Sequence, residues 1–533
     1  MSTELVQDSV VAEVSAPITV PKQASDEIWK KYALYGLLAS LYILPFMQVY
    51  LLSTDEGTLD YGAVRIAQGQ VFPRDFFEVI GPGTFYLLAM FFKVLGVTFV
   101  ASRIYLFIIS LGTAVLMYIS SRRICRTHQV LPSIFLAGTY FGCLLWPQIS
   151  HHADSNLFAL LAAICALQWY DNRNSVELLA VGVFTGITTV VFQPKGSLLF
   201  VALLIWLLIL RRRGHASTSS LGILTIGYLG FISVVVLWFW SRGALRSLID
   251  ANFIWPLSHY QAVNAVPYAG DVVQTFRMHV VKGMGWTIPL AGLLTIPFLY
   301  VAAFPLMLPA IGARLRWDIN KADVLLFWLC GAALWASELH RKDIAHLVFG
   351  SPFFMILCVH FLAESRGRIA SIALQMLSIS CVSLAVFNLL AVFLSTHTVA
   401  TNVGKFRAFT KDGAVSFVRE HVAPGEEIFA YPYCPRYYFL GAAKNPTPYS
   451  ILLYNYNTRS QFQEVVQILE QRKVKYVIWD SSLEEVKAEV FPASTHVPPG
   501  GFIIEPYLES HYRLVKMLDG VRIMERKEQQ QMK

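Results

Sequence analysis

The stretch "LLSTDEGTLDYG", Leu51 to Gly62, places Asp55, Glu56 and Asp60 directly behind an apolar run that starts near Ala33. An apolar run of about 20 residues can cross the roughly 30 Å hydrocarbon core of a bilayer as a helix. Charged groups at the level of a membrane are costly to desolvate and are usually functional. The stretch therefore predicts a membrane span with a site at its end.

The composition of the whole chain supports a membrane protein. The 533 residues are 55% hydrophobic, 14% aromatic and 15% charged, which is too apolar for an ordinary soluble enzyme. Apolar runs recur as far as Ser395, and the composition then becomes polar. We predict a polytopic α-helical membrane protein with three parts. These are a disordered cytoplasmic arm at 1–32, a transmembrane body at 33–395 with a first external loop at 53–101, and a soluble extracytoplasmic α/β domain at 396–533.

Eleven spans are predicted, and their orientation follows from clusters of Lys and Arg at the span ends. Cytoplasmic loops carry an excess of these residues, so the N-terminus is expected inside and the C-terminal domain outside. The same clusters account for the net charge of +8, so no nucleic-acid partner is predicted. The run from Phe85 to Gly96 is short and contains Lys93, which favours a helix along the interface. The predicted spans are 33–52, 102–121, 130–147, 155–170, 177–193, 197–210, 221–240, 287–309, 323–338, 347–363 and 369–395.

The polar C-terminal region alternates helical and strand patterns. "GAVSFVREHV" is helical, "EEIFAYPY" and "VKYVIWDSS" are strands, and an amphipathic helix begins at Thr458. A hairpin turning at Asp519 and Gly520 follows. No glycine-rich phosphate loop precedes a helix in the sequence, so neither nucleotide hydrolysis nor dinucleotide chemistry is predicted.

Carboxylates in the first external loop are candidates for acid–base chemistry. Asp55 and Glu56 follow the first span, and Asp75 and Glu78 lie further along the loop. Such a pair near an external cleft suits a general base with a supporting partner, or a cation site. The alternative for the first pair is structural, with Thr54 or Asp55 capping the amphipathic helix that follows.

Cations on the predicted outer face are candidates for binding an anion. The segment "ELHRKDIAH" contains His340, Arg341 and His346, and basic residues on an outer loop run against the usual charge bias. A phosphate or anionic headgroup would suit them, whereas the alternative is a solvated loop with an ion pair between Arg341 and Asp343. Lys195 in "FQPKG" lies between two apolar spans, where its alternative role is snorkelling to the headgroups.

A metal site is a weaker possibility. His151, His152 and Asp154 could ligate an ion, but adjacent histidines point in different directions on regular structure and the spacing matches no recognised site. No cofactor is therefore predicted, with a divalent metal kept as an alternative.

Taken together, these features resemble the GT-C superfamily of membrane glycosyltransferases. The likeness rests on the acidic pair after the first span, the loop "YGAVRIAQGQVFPRDFFEVIGPGTFYLLAMFFKVLG", the Lys in "FQPKG", the "HRKDIAH" loop before "LVFGSPFF", and the external α/β tail. It is strongest to bacterial enzymes related to protein O-mannosyltransferases and the lipid A aminoarabinose transferase. The residue after the acidic pair is Gly57 rather than an aromatic residue, so contacts to the acceptor cannot be carried over.

The resemblance implies transfer of a sugar from a polyprenyl-phosphate donor to a glycan, lipid or protein acceptor, usually with inversion. The reaction would take place on the external face of a bacterial inner (plasma) membrane, among membrane lipids. The implied catalytic residues are Asp55, Glu56 and Asp75, and the implied donor-phosphate ligands are Lys195, His340, Arg341 and His346.

Two other classes of function remain as alternatives. In a transporter or flippase the same cations would bind a lipid phosphate while Asp55 carried protons. The spans show no paired inverted repeat and little charge at mid-membrane, which argues against that class. In a non-catalytic assembly protein the tail would serve only for binding.

Overall fold

A computed structural model describes residues 22–142, 148–260, 321–454, 456–481 and 504–528. Apolar helices form most of the described residues as far as Ser395. The predicted span at 287–309 lies outside these residues. The helices before the gap at 261–320 are α1 (Lys22–Ile43), α2 (Thr54–Ala67), α3 (Pro82–Leu95), α4 (Phe99–Ile124), α5 (Leu131–Gly142), α6 (His151–Asn172), α7 (Ser175–Val191), α8 (Gln193–Arg212), α9 (Thr218–Ser241) and α10 (Leu245–Ile249). A 3₁₀ turn at Leu44–Gln48 follows α1, and π-helical turns at Asp250–Ile254 and Pro256–Tyr260 follow α10. The helices after the gap are α11 (Ala322–Ser337), α12 (Ile344–Phe349), α13 (Pro352–Glu364) and α14 (Arg368–Ser395).

The predicted spans within the described residues lie mainly in helices, so the polytopic helical body is confirmed, but two of them are interrupted. The span at 33–52 runs past the end of α1 at Ile43, and the span at 347–363 covers α12, a break at Gly350 and Ser351, and α13. Among the described residues four helices, α4, α8, α9 and α14, are long and apolar enough to cross a membrane. The others are shorter or less apolar, and the number of eleven spans stays a prediction. Helix α3 has 14 residues, too few to cross a bilayer, which agrees with its exclusion from the spans.

The first helix differs from its prediction at both ends. It begins at Lys22 and ends at Ile43, whereas a disordered arm to residue 32 and a span at 33–52 were expected. The segment after Pro21 lacks Gly and Pro as far as Tyr35, so nothing in it interrupts a helix despite its polar composition. The prediction of disorder is therefore wrong over residues 22–32.

Small residues allow the helices to pack closely. A Cβ atom at Gly182 in α7 would lie 2.4 Å from the backbone oxygen of Leu224 in α9, and one at Gly227 would lie 2.4 Å from that of Leu179. Glycines that bring backbones together are typical of helix contacts in membranes, where van der Waals packing replaces the hydrophobic effect. A continuous apolar cluster including Trp206, Phe327 and Phe354 joins α8, α11 and α13.

The C-terminal region contains the predicted helices and strands. Its elements are β1 (His397–Thr401), β2 (Gly404–Ala408), α15 (Gly413–His421), β3 (Ile428–Tyr431), α16 (Arg436–Leu440), α17 (Arg459–Arg472), β4 (Tyr476–Asp480), α18 (Ile504–His511), β5 (Tyr512–Leu518) and β6 (Val521–Arg526). Strands β1 and β2 form a hairpin, and the other four form a sheet in the order β3-β4-β6-β5. Within this sheet of described strands, β3 and β4 pair in parallel and the other neighbours are antiparallel. The β5–β6 hairpin turns at Asp519 and Gly520 as predicted.

Helix α2 joins the C-terminal region to the helical body. The ring of Tyr61 packs 4.7 Å from that of Tyr438, and its hydroxyl accepts a hydrogen bond from the backbone N–H of Asn445 at 2.7 Å. A Cβ atom at Gly57 would lie 2.6 Å from the backbone nitrogen of Arg436 in α16. Gly57 is therefore required for close packing of α16 on α2, which places the N-terminus of α2 at the junction of the two regions.

Candidate active site

The N-terminus of α2 presents Asp55 to solvent. The cap position is held by Ser53, whose side chain makes no capping hydrogen bond, so the predicted caps Thr54 and Asp55 are wrong. Asp55 is exposed and its Oδ1 accepts a hydrogen bond of 2.5 Å from the hydroxyl of Tyr433 in the C-terminal region. A carboxylate fixed in this way and still open to solvent has the properties of a general base.

The hydroxyl of Tyr433 is fixed as a donor. Burial, together with the negative charge of Asp55, raises the pKa of Tyr433 well above its usual value. The phenol therefore keeps its proton at neutral pH and can orient the Asp55 carboxylate.

Glu56 faces the interior, although its position beside Asp55 favoured a hydrated side chain. It is fully buried, and its Oε1 accepts hydrogen bonds from Arg103 Nη2 at 2.6 Å and from the backbone N–H of Ile149 at 2.9 Å. The guanidinium of Arg103 lies over the rings of Phe99 and Tyr50, at 4.8 and 5.2 Å from their centroids. This arrangement suits a residue that positions α2 rather than one that contacts a substrate.

The two carboxyl groups of the second acidic cluster differ in location, with Asp75 at the surface and Glu78 in the interior. Asp75 forms an ion pair of 2.8 Å with Arg74 at the surface, and this hydrogen bond lowers the pKa of Asp75. Glu78 is 1% exposed, and neither of its carboxyl oxygens has a hydrogen-bond partner among the residues that the structure describes. Burial, and next the charge of Asp55, raise the pKa of Glu78 to about 8, so this side chain is mainly neutral at pH 7. The structure thus brings Glu78, not Asp75, into the environment of Asp55.

A second polar group lies where α6, α8 and α11 meet. The ammonium of Lys195 is fully buried, 2.8 Å from Glu338 Oε1 and 2.9 Å from the side-chain oxygen of Asn156. Nδ1 of His152 lies 3.0 Å from the other oxygen of Glu338. Lys195 therefore does not snorkel to a membrane surface, because a buried carboxylate neutralises it.

The loop between α11 and α12 carries the other predicted phosphate ligands. Arg341 Nε pairs with Asp343 Oδ2 at 2.5 Å, and His346 Nδ1 lies 2.7 Å from Asp343 Oδ1. Although burial acts to raise it, the charges and hydrogen bonds of His346 and Arg341 hold the pKa of Asp343 well below its usual range. The ring of His340 stacks parallel to that of His152 with 6.4 Å between centroids. The predicted ion pair of Arg341 and Asp343 is confirmed, and the loop is only partly exposed.

The two polar groups are connected through Glu56. The backbone N–H of Ile149, which donates to Glu56, belongs to the segment that leads into α6, and His152 is in the first turn of that helix. The Asp55 end of α2 and the Lys195 group therefore adjoin the same start of α6. The structure brings Lys195, His340 and His346 together with Arg341, and leaves Asp75 in its own loop.

Among the described residues, one set of side chains could hold a metal ion. Ligand atoms of His152, Glu338 and His346 lie within 4.8 Å of one another. Asp154, which the sequence suggested as a ligand, instead accepts hydrogen bonds from Thr84 and Tyr105. The positive charge of Lys195 beside Glu338 opposes a second cation there.

We therefore expect a chelator to leave the activity of the purified protein unchanged. Lys195 already neutralises Glu338, so no metal ion is needed to balance the charge of this carboxylate and a chelator should not alter the site. The check is the initial rate after treatment with EDTA and gel filtration, compared with untreated protein. A loss of rate that zinc or manganese restores would contradict this expectation and assign the three side chains to a metal.

Several residues of these groups were given no individual role from the sequence. Arg103 could have been found, because a cation near the start of a predicted span is a signal of a polar partner. Glu338 stood in the quoted segment "ELHRKDIAH" but was assigned no role. Glu78 was noted only as part of the second acidic cluster, and Tyr433 had no sequence signal, because its partner Asp55 is 378 positions away.

Comparison with solved structures supports the fold predicted from the sequence. No protein-family model matches the chain, and no curated protein matches it. Two crystal structures of ArnT from Cupriavidus metallidurans align with 94% of this chain and 98% of theirs. The form bound to undecaprenyl phosphate gives 10% identity and a TM-score of 0.51, and the apo form 11% and 0.55. The predicted resemblance is therefore confirmed for the fold, which this chain shares with ArnT.

Proposed function

We propose that this protein is a membrane glycosyltransferase that moves a sugar from a polyprenyl-phosphate donor to an acceptor hydroxyl. The observation that carries the proposal is the exposed Asp55 carboxylate, held by Tyr433 at the start of α2. The shared fold supports it, since ArnT has been crystallised with undecaprenyl phosphate. The acceptor is a glycan, a lipid or a protein.

Asp55 acts as the base in a single displacement. Its carboxylate takes the proton of the acceptor hydroxyl while that oxygen forms a bond to the anomeric carbon. The bond from this carbon to the phosphate oxygen breaks, and its electron pair leaves with the polyprenyl phosphate. One displacement inverts the anomeric carbon. Glu56 holds α2 in place through Arg103, and Asp75 orients the loop that contains Glu78.

Cations stabilise the phosphate as it leaves, because negative charge develops on its bridging oxygen. Arg341, His340 and His346 lie in a partly exposed loop and contact the donor phosphate, with Asp343 orienting Arg341. Lys195 is enclosed and paired with Glu338, so it holds Glu338 and His152 in place behind the loop rather than contacting the phosphate.

The reaction takes place on the external face of the bacterial inner membrane, with the N-terminus cytoplasmic. The basic clusters after α4 and at the end of α8 support this orientation. The α/β region then lies outside, beside α2 and the donor site.

Reporter fusions test this orientation. A reporter that is active only in the periplasm should be active when fused after Ser395 and inactive when fused after Arg213. The reason is that Arg211 to Arg213 form a cluster expected on the cytoplasmic side. Active fusions at both positions would contradict the proposed arrangement.

The reaction itself is tested with purified protein and a panel of labelled polyprenyl-phosphate sugars. A glycosyltransferase releases free polyprenyl phosphate in step with glycoside formation. A transporter or flippase moves the labelled lipid across a vesicle membrane without releasing the sugar. Binding of the donor with neither outcome would indicate a non-catalytic assembly protein.

A further inference from the structure

An open groove of about 590 Å³ lies between the end of α1, the start of α4 and the β1–β2 hairpin. We call it the hairpin groove. Leu44, Val100 and Ile104 form its apolar side, and Lys405 and Arg407 in β2 form its polar side. Its volume falls in the range of sites that bind small molecules. The groove has no part in the reaction proposed above.

The hairpin is fixed to the helices by backbone hydrogen bonds. The N–H of Tyr50, after the 3₁₀ turn, donates to the backbone oxygen of Arg407 at 2.9 Å. The N–H of Phe99, at the start of α4, donates to the backbone oxygen of Val403 at 2.9 Å. The walls of the groove are therefore preformed, which lowers the entropic cost of binding a ligand.

The groove is positively charged on its polar side. Lys405 and Arg407 are two positions apart in a strand, so their side chains leave the same face of β2. Arg103 also borders the groove, but it is paired with the buried Glu56, so the positive charge of the groove rests on Lys405 and Arg407. None of the described residues that line the groove is Asp or Glu. A hydrogen bond from Arg407 Nη2 to the backbone oxygen of Phe393, at 3.3 Å, keeps that side chain beside the groove.

The apolar side continues onto helix surfaces that face away from the protein. Leu41 near the end of α1 and Leu44 in the 3₁₀ turn that follows are 58% and 50% exposed, and Val100 and Ile104 in α4 are 62% and 39% exposed. Exposed side chains of this kind on a membrane helix are solvated by acyl chains. The hairpin groove thus joins an acyl-chain surface to a pair of cations, which is the pattern of a site for a lipid with an anionic headgroup.

We propose that the hairpin groove binds an anionic phospholipid of the surrounding membrane, with its phosphate on Lys405 and Arg407 and its first methylenes on α1 and α4. This site is distinct from the group around Lys195. Glu56 separates the two, since it accepts from Arg103 on the groove side and from Ile149 on the α6 side. The chain therefore holds a second lipid beside its proposed donor.

The test measures lipid binding to the full-length protein in detergent by native mass spectrometry. The probes are dioleoyl phosphatidylglycerol, dioleoyl phosphatidylcholine and undecaprenyl phosphate. We expect the phosphatidylglycerol to bind the wild-type protein at least about tenfold more tightly than phosphatidylcholine. Both lipids have a phosphate, but the choline cation of phosphatidylcholine cancels its charge and is repelled by Lys405 and Arg407. Inorganic phosphate at millimolar concentration should not displace it.

Two variants alter the polar side and the apolar side of the hairpin groove separately. Lys405→Ala/Arg407→Ala removes the cations, and Val100→Trp fills the apolar side while keeping the charges. Both should weaken phosphatidylglycerol binding by about tenfold or more, a factor expected from loss of one charge-assisted hydrogen bond or of the acyl-chain contact. Arg472→Ala/Lys516→Ala removes two exposed cations from the sheet region and is the charge-matched control, which should bind as the wild type does.

The outcomes separate this proposal from the proposed reaction. Equal binding of the two phospholipids, unchanged binding in both groove variants, or displacement by inorganic phosphate would overturn it. The proposal would also be overturned if the groove variants lost binding of undecaprenyl phosphate but kept binding of phosphatidylglycerol. That result would make the groove part of the donor site. Failure of the sugar-transfer assay would leave the binding result intact. Because the two groove variants act through different residues, misfolding of either leaves the other as the test.

Discussion

Replacing Asp55 with Asn is expected to lower kcat by about 10²- to 10⁴-fold, the usual contribution of a general base, with donor binding nearly unchanged. The amide has the shape of the carboxylate and can still accept a hydrogen bond from Tyr433, but it cannot take the proton of an acceptor hydroxyl. The measurement is the initial rate of polyprenyl phosphate release at saturating donor, together with donor affinity measured separately.

Two further variants show whether the loss reports on chemistry. Asp75→Asn should lower kcat much less than Asp55→Asn does, because Asp75 is paired with Arg74 at the surface and only orients the loop. Tyr433→Phe should give an intermediate loss, because it frees the Asp55 carboxylate without removing it. Near-normal turnover of Asp55→Asn would contradict the assignment of Asp55 as the base.

The position of Asp55 could be predicted from the sequence because it depends on local information. An apolar run of membrane length, followed at once by carboxylates and an amphipathic pattern, places the side chain at the end of a span. Which of the two neighbouring acids faces solvent was beyond that pattern. It depends on Arg103, which binds Glu56 from α4 and turns it inward.

The same distinction holds for the cations. Polar residues in the loops around Lys195 and Arg341 could be assigned to one end of the helices from the topology alone. The pairing of Arg341 with Asp343 could also be named, because the two residues are close in sequence. The partner of Lys195 could not, because its ion pair with Glu338 depends on how α8 packs against α11.

Secondary structure in the C-terminal region was predictable because each element has a strong local signal. The helix after Thr458 begins with a capping box in which Thr458 and Gln461 exchange hydrogen bonds, and the β5–β6 turn has Asp519 and Gly520 at positive φ. The start of α1 had no such signal. Its polar first turns were mistaken for disorder, because composition alone does not distinguish an exposed helix from a flexible arm.

Replacing Lys195 with Ala is expected to lower the free energy of unfolding by about 3–5 kcal/mol, the usual cost of breaking a buried ion pair. The ammonium and the Glu338 carboxylate are both fully buried, so the variant leaves a negative charge in the interior with His152 as a remaining hydrogen-bonding neighbour. The sequence alone suggested only a weaker donor interaction. The measurement is the denaturation midpoint of the purified protein in detergent.

The double variant Lys195→Met/Glu338→Gln tests this reason, because it removes both charges and should recover much of the lost stability. Arg341→Ala is the contrasting single variant. Its partner Asp343 keeps His346 as a second contact, so stability should fall less than in Lys195→Ala. Donor binding should weaken by about 1.5–3 kcal/mol, the range for a hydrogen bond to a charged group. Arg341→Lys keeps the charge but lacks the planar guanidinium, so its donor affinity should lie between those of the wild type and Arg341→Ala. If Lys195→Ala proved as stable as the wild type while its donor affinity fell, Lys195 would be a direct phosphate ligand whose pairing with Glu338 adds little to the fold.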